Sequence, residues 1–95
     1  MKKTYNLEKS NTPIQRQVDS IKGEVKKYIA RERRKKLPEG FDFWKFDCKF
    51  GDTEGVATAV FANELKTLID KSINDEKKYF YIEIISRAVK NESKK

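Results

Sequence analysis

The hydrophobic period of this chain changes from helical to alternating across Leu37-Pro38-Glu39-Gly40, and that change constrains the fold more than any other feature. Before the turn, Ile14, Val18, Ile21, Val25, Tyr28 and Ile29 recur at spacings of three, four and one. At ~100° per residue they form one continuous apolar stripe, which predicts a helix over about 13–35. Ser10, Asn11 and Thr12 supply cap chemistry, with Thr12 as N-cap and Pro13 at the first helical position. Pro38 stops the helix, because the residue before a proline avoids helical geometry. After the turn, residues 43–50 alternate, with Trp44, Phe46, Cys48 and Phe50 on one face and Phe43, Lys45, Asp47 and Lys49 on the other. An amphipathic helix running directly into a half-apolar strand must lay its stripe on that strand's sheet. The first set therefore reads as core, and Trp44 and Phe46 are expected to be buried with Val25 and Ile82.

The remaining segments extend the same architecture. Residues 3–7 have strand character, and Gly51-Asp52-Thr53-Glu54-Gly55 is a turn. Residues 56–62 are ambiguous. Val56, Thr58, Val60 and Phe61 favour a strand closing a hairpin, and nearby alanines and glutamate favour a helical continuation. Asn63 is placed to cap a helix over 64–74, with Leu65, Leu68, Ile69 and Ile73 inward and Asn74-Asp75 at its end. The last strand, 78–88, sets Phe80, Ile82 and Ile84 against Tyr79, Tyr81 and Glu83. The tail 90–95 is polar and expected to fray. The expected fold is α+β, a single-domain two-layer sandwich in β-α-β-β-α-β (ferredoxin-like) order. Its two helices cover one face of a three- or four-stranded sheet, with the ordered core at about 3–89.

Charge is distributed unevenly along this frame. Residues 22–36 carry eight Lys/Arg against two Glu, whereas 52–76 carry two Lys against six acids. The basic block favours polyanions. A single cysteine, Cys48, fits a reducing cytoplasm. Met1-Lys2-Lys3 leads into Thr-Tyr-Asn rather than an apolar run, so no signal peptide is expected. No apolar run approaches the ~20 residues of a membrane span.

Arg-Glu-Arg-Arg-Lys-Lys-Leu-Pro-Glu-Gly followed by Asp-Phe-Trp-Lys-Phe-Asp-Cys-Lys-Phe-Gly resembles a family of small bacterial proteins of unknown function. The likeness extends to the Lys-Lys-Thr start and the Phe-Tyr-Ile-Glu-Ile strand. It implies a compact bacterial cytoplasmic domain, and it transfers no activity and no functional residues.

The residue inventory argues against ordinary enzyme chemistry. Histidine is absent, so no Ser-His-Asp, Cys-His or His-ligated metal site can form. Cys48 alternates with aromatic core positions and reads as a small buried hydrophobe. Asp42 and Asp47 fall on opposite strand faces, which excludes a carboxylate pair, and Asp47 is expected to meet Lys45, Lys49 or a cross-strand cation. No cofactor and no metal are implied. Two surfaces remain as binding candidates. The first is the basic side of the first helix, carrying Lys22, Lys26, Lys27, Arg31, Arg33, Arg34 and Lys35, with Lys22, Lys26 and Arg33 on one flank and Lys27, Arg31 and Arg34 on the other. Gly23 lies opposite its apolar stripe, and Glu32–Lys36 would form a helical ion pair. The second is the open sheet face with Phe43, Lys45, Lys49, Tyr79 and Tyr81, suited to stacking on bases or to a protein partner. The expected function is nucleic-acid binding, to RNA or the ribosome, through the first helix. The alternative is a protein-interaction module or homodimer that buries the aromatic sheet face.

Overall fold

The computed structural model describes residues 1–8 and 12–90; the expected cap residues Ser10 and Asn11 and the tail beyond residue 90 lie outside them. The elements are β1 (Lys2–Asn6), α1 (Ile14–Arg33), β2 (Phe43–Gly51), β3 (Thr58–Val60), α2 (Leu65–Asn74) and β4 (Tyr79–Val89). Short 3-10 turns at Glu54–Val56 and Ala62–Glu64 flank β3. The order is the expected β-α-β-β-α-β, and the two layers are an antiparallel four-stranded sheet and a pair of helices.

Within the sheet the strands run β1-β4-β2-β3. Strand β4 enters between β1 and β2, so β1 and β2 are parallel through an antiparallel intermediary. The register pairs Tyr5 with Phe80 on one side of β4, and Cys48 with Ile84 on the other. A ferredoxin-like sheet inserts the hairpin strand between β1 and β2 instead. The likeness is therefore one of element order and layering, while β3 sits at the outer edge of β2.

The inner face follows from alternation. Tyr5, Cys48, Phe80, Ile82 and Ile84 meet Val18, Ile21 and Val25 of α1 and Leu65 and Ile69 of α2 in one core. Phe80, Ile82, Ile84 and Ile69 are fully buried, so the centre of the core lies on β4. Phe46 packs against its margin, and Trp44 does not reach it. Both are only half-buried, Phe46 under Arg33 in the last turn of α1 and Trp44 beyond the end of that helix. Trp44 instead donates its indole N–H to the Lys35 carbonyl at 2.9 Å, fastening β2 to the segment that follows the helix. Ile14, the first residue of the predicted stripe, is exposed because the helix begins beyond the core's edge.

The helix starts correct the expected caps of α1 and α2, while α2 ends at Asn74-Asp75 as expected. Pro13 occupies the N-cap position of α1 rather than the first helical turn, and no side chain caps it. The Gln17 side chain donates to the Thr12 carbonyl at 2.6 Å instead. Asn63 falls inside the 3-10 turn before α2 and does not cap the helix by a side-chain bond. At the other end of α2, Glu76 adopts φ 58, the left-handed region. Its N–H donates to Ile73 and that of Lys77 to Ser72, the paired bonds of a Schellman ending. Residues 56–62 contain a strand, but only over Thr58–Val60.

Candidate functional site

The basic side of α1 is built by where its acids go. Two glutamates interrupt the cations of residues 22–36, and both turn towards the sheet. Glu24 accepts the Tyr5 hydroxyl and pairs with Lys3 of β1 at 3.3 Å. The Tyr5 hydrogen bond holds its carboxyl below the usual range, helped by Lys3 and opposed by desolvation. Glu32 continues the apolar stripe four residues after Tyr28 and is buried at 6% exposure. Its carboxylate accepts Ser86 of β4 at 2.9 Å and Lys35 at 2.7 Å. The Lys35 bond, followed by that of Ser86, lowers its pKa as well. The expected Glu32–Lys36 pair is replaced by Glu32–Lys35, because the chain leaves helical geometry after Arg34 and brings Lys35 back under the sheet end.

With those acids drawn inward, the cations separate into two flanks. Lys27, Arg31 and Arg34 line a shallow groove along α1 beside Ser20 and Gly23, and Asp19 and Glu24 line it with them. Arg31 also lies 5.4 Å over the Tyr28 ring. A Cβ added at Gly23 would meet nothing within 4 Å, so no packing within the chain requires glycine there. Lys22, Lys26 and Arg33 face the cleft towards α2, where Lys66 joins them. Helical spacing leaves Lys66 off the α2 stripe, so it could have been added to the candidate set. Lys22 is committed to Asp70 of α2 at 2.5 Å, and Lys35 to Glu32. Arg33 stands 5.7 Å from the Phe46 ring. Lys26, Lys27, Arg31, Arg33 and Arg34 carry no ion pair among the described residues.

The open sheet face differs from the expected mixture of free rings and cations. Phe43 and Tyr79 are exposed, at 43% and 46%, as are Lys45 and Lys49, but Tyr81 is only 3% exposed. Tyr81 pairs in register with Gly51, and a Cβ at Gly51 would come within 2.6 Å of the Ala57 backbone. The segment after Gly51 therefore folds over this face and covers the tyrosine ring. Burial, then the hydrogen bond to Glu83 at 2.8 Å, pushes the Tyr81 phenol up to about 12. Tyr81 is thus a buried anchor and not a contact residue. Lys45 stands opposite Arg87, a like-charge pairing. Asp47 relieves it by accepting two bonds from the Arg87 guanidinium, at 2.8 and 3.3 Å. This is the cross-strand cation that alternation anticipated for Asp47.

The thiol fits the reading of Cys48 as a core residue. It is 3% exposed, and burial followed by the Asp47 charge raises its pKa to about 11. A thiol held protonated in this way is a poor nucleophile. No three metal-ligating side chains come together among the described residues. No helix among them is long and apolar enough to cross a membrane.

The two candidate surfaces lie on opposite sides of the sandwich. They approach each other only at one end, where Arg33, Lys35, Phe43 and Trp44 share a groove. No curated protein and no solved structure matches the chain. The chain belongs to DUF6172, a family of unknown function whose model spans residues 1–95.

Proposed function

We infer that this member of the family is a small non-catalytic cytoplasmic domain that binds nucleic acid, RNA or a ribosomal site in particular, through the outer face of α1. The observation that carries the reading is the engagement of Glu24 by Tyr5 and Lys3 and of Glu32 by Ser86 and Lys35, which leaves Lys27, Arg31 and Arg34 on a rigid helix without an ion pair among the described residues, although Asp19 and Glu24 line the same groove. Lysine and arginine so placed can neutralise successive phosphates and release condensed counterions, an interaction that needs positive charge and no base reading. Net charge +7 adds long-range attraction to the same partner. The buried thiol of Cys48 fits a reducing cytoplasm.

A second reading, contact with a protein partner or a second copy through the sheet, draws support from the exposure of Phe43, Tyr79 and Ile85 on one face. Binding of mixed-sequence duplex RNA, single-stranded RNA and duplex DNA at two salt concentrations separates the two. The nucleic-acid reading expects retention at low salt and a steep loss of affinity as salt rises. Absence of binding to all three probes at low salt would overturn it and leave the sheet as the leading surface.

A further inference from the structure

The cleft between α1 and α2 combines an apolar floor with cations on both walls, and the outer face of α1 does not account for it. Leu65 of α2 and Val25 of α1 form the bottom, with Ile29 and Ala62 half-buried above them. Lys26 and Arg33 enter from α1 and Lys66 from α2, and all three are exposed. No acidic side chain lines the cleft. Asp70, which follows Ile69 of the cleft, is held by Lys22. The cleft is half open to solvent and offers about 380 Å³, within the range of about 300–1,000 Å³ common to small-molecule sites.

We propose that this cleft binds a free single-chain alkyl carboxylate, its aliphatic chain on the floor between the helices and its carboxylate held by Lys26, Lys66 and Arg33. Charge complementarity fixes the sign of the head group, because three cations with no acid between them favour an anion and oppose a cation. Size argues against an amphipathic helix as occupant. Such a helix needs apolar anchors over several turns, and this floor covers only residues 25–30 of α1 and the start of α2 before charge takes over. The site is independent of the phosphate-binding reading, since Lys66 lies on α2, away from the groove lined by Lys27, Arg31 and Arg34.

Calorimetry and backbone NMR shifts on the full chain test the proposal with decanoate, decyltrimethylammonium and an acidic amphipathic peptide as probes. Decanoate is expected to bind with shifts concentrated in 25–33 and 62–69, and decyltrimethylammonium to bind at least tenfold more weakly. Lys66→Glu should weaken decanoate about tenfold, the loss of one charge-assisted contact, and leave duplex-RNA affinity within twofold. Lys66→Gln, which keeps the side chain's length, should give an intermediate loss. Equal binding of the two alkyl probes, shifts elsewhere in the chain, or an unchanged affinity in both Lys66 variants would overturn the proposal. Binding of the peptide in the cleft without binding of decanoate would overturn it too, in favour of a protein ligand.

Discussion

On α1 the acids of the basic segment turn towards the sheet, whereas on the open sheet face the cations have acids beside them. Glu24 and Glu32 are spent on Tyr5 and Ser86, so Lys27, Arg31 and Arg34 are left without an ion pair among the described residues, Arg31 lying over the Tyr28 ring. Across the sandwich, Arg87 is held by Asp47, and Lys49 stands opposite Glu83 in register. Tyr81 is sealed under the segment that follows Gly51. Both surfaces are rich in charge, but Arg87 of the sheet is held in an ion pair and Lys27, Arg31 and Arg34 of the helix are not. What separates them is the destination of a few carboxylates and the path of one loop, not the number of lysines and arginines.

The largest effect should come from the layer between the two faces. Phe80 is fully buried, stacks on Phe50 at 5.5 Å and tilts against Tyr5 at 5.7 Å. Phe80→Ala should cost about 3–5 kcal/mol in urea melts. Phe46→Ala should cost clearly less, because Phe46 is only half-buried at the margin of the core; equal losses would mean that the core extends further along β2 than described.

Gly51→Ala should break the cover on the open face. The added methyl meets backbone at 2.6 Å, which cannot yield as a flexible side chain can, so a loss of about 1–3 kcal/mol is expected. The same change should uncover Tyr81. Its folded phenol keeps the proton to about pH 12, against an ordinary value of about 10, so Tyr81 lowers stability as pH rises past the ordinary value. Alkaline absorbance titration should show this late phenolate in the native protein and bring it forward in Gly51→Ala. An unchanged titration would place something other than the loop over the ring.

Gly23→Ala sharpens the comparison from the side of α1. The position is helical and open, so alanine should stabilise the fold by about 0.5–1 kcal/mol. If a phosphate backbone lies against Gly23 in the groove, the same variant should bind duplex RNA more weakly despite its higher stability. Stabilisation without any loss of affinity would move the contact elsewhere on the helix.

The smallest effect is expected at Asp47. Arg87 holds its carboxyl below the usual range, so the pair contributes above the ordinary carboxylate pKa and is lost as pH falls through the lowered folded value. Both partners are about half exposed, and Asp47→Asn should cost less than about 1 kcal/mol at neutral pH. Urea melts at neutral and acidic pH check this, and a difference between the proteins that persists below pH 2 would point to packing and not charge.

Much of this arrangement is legible in the sequence. Helical spacing places Val18, Ile21 and Val25 inward, and alternation assigns Cys48, Phe80, Ile82 and Ile84 to the core. Both signals are local and repeat over several residues. Glu32 was legible too, since it follows Tyr28 by four positions and falls on the stripe, but its charge suggested solvent. The strand order was not legible, because pairing of β4 between β1 and β2 joins segments distant in the chain. The cover on Tyr81 was hidden for a different reason. Alternation says which side a residue faces, and it carries no information about a loop that folds back over that side. The two flanks of α1 agree with helical spacing, although the commitment of Lys22 to Asp70 required α2 to be in place.

Duplex-RNA affinity measured by fluorescence anisotropy in two variants, at two salt concentrations, tests the central claim most directly. One variant carries Lys27→Glu, Arg31→Glu and Arg34→Glu, and the other carries Phe43→Ser and Tyr79→Ser. The proposal predicts that the helix variant loses affinity by orders of magnitude, lowers the salt slope by about 3 and melts near the wild-type temperature, while the sheet variant binds within a few-fold of wild type. A sheet variant that loses binding while the helix variant keeps it would contradict the claim and assign the interface to the opposite side of the molecule.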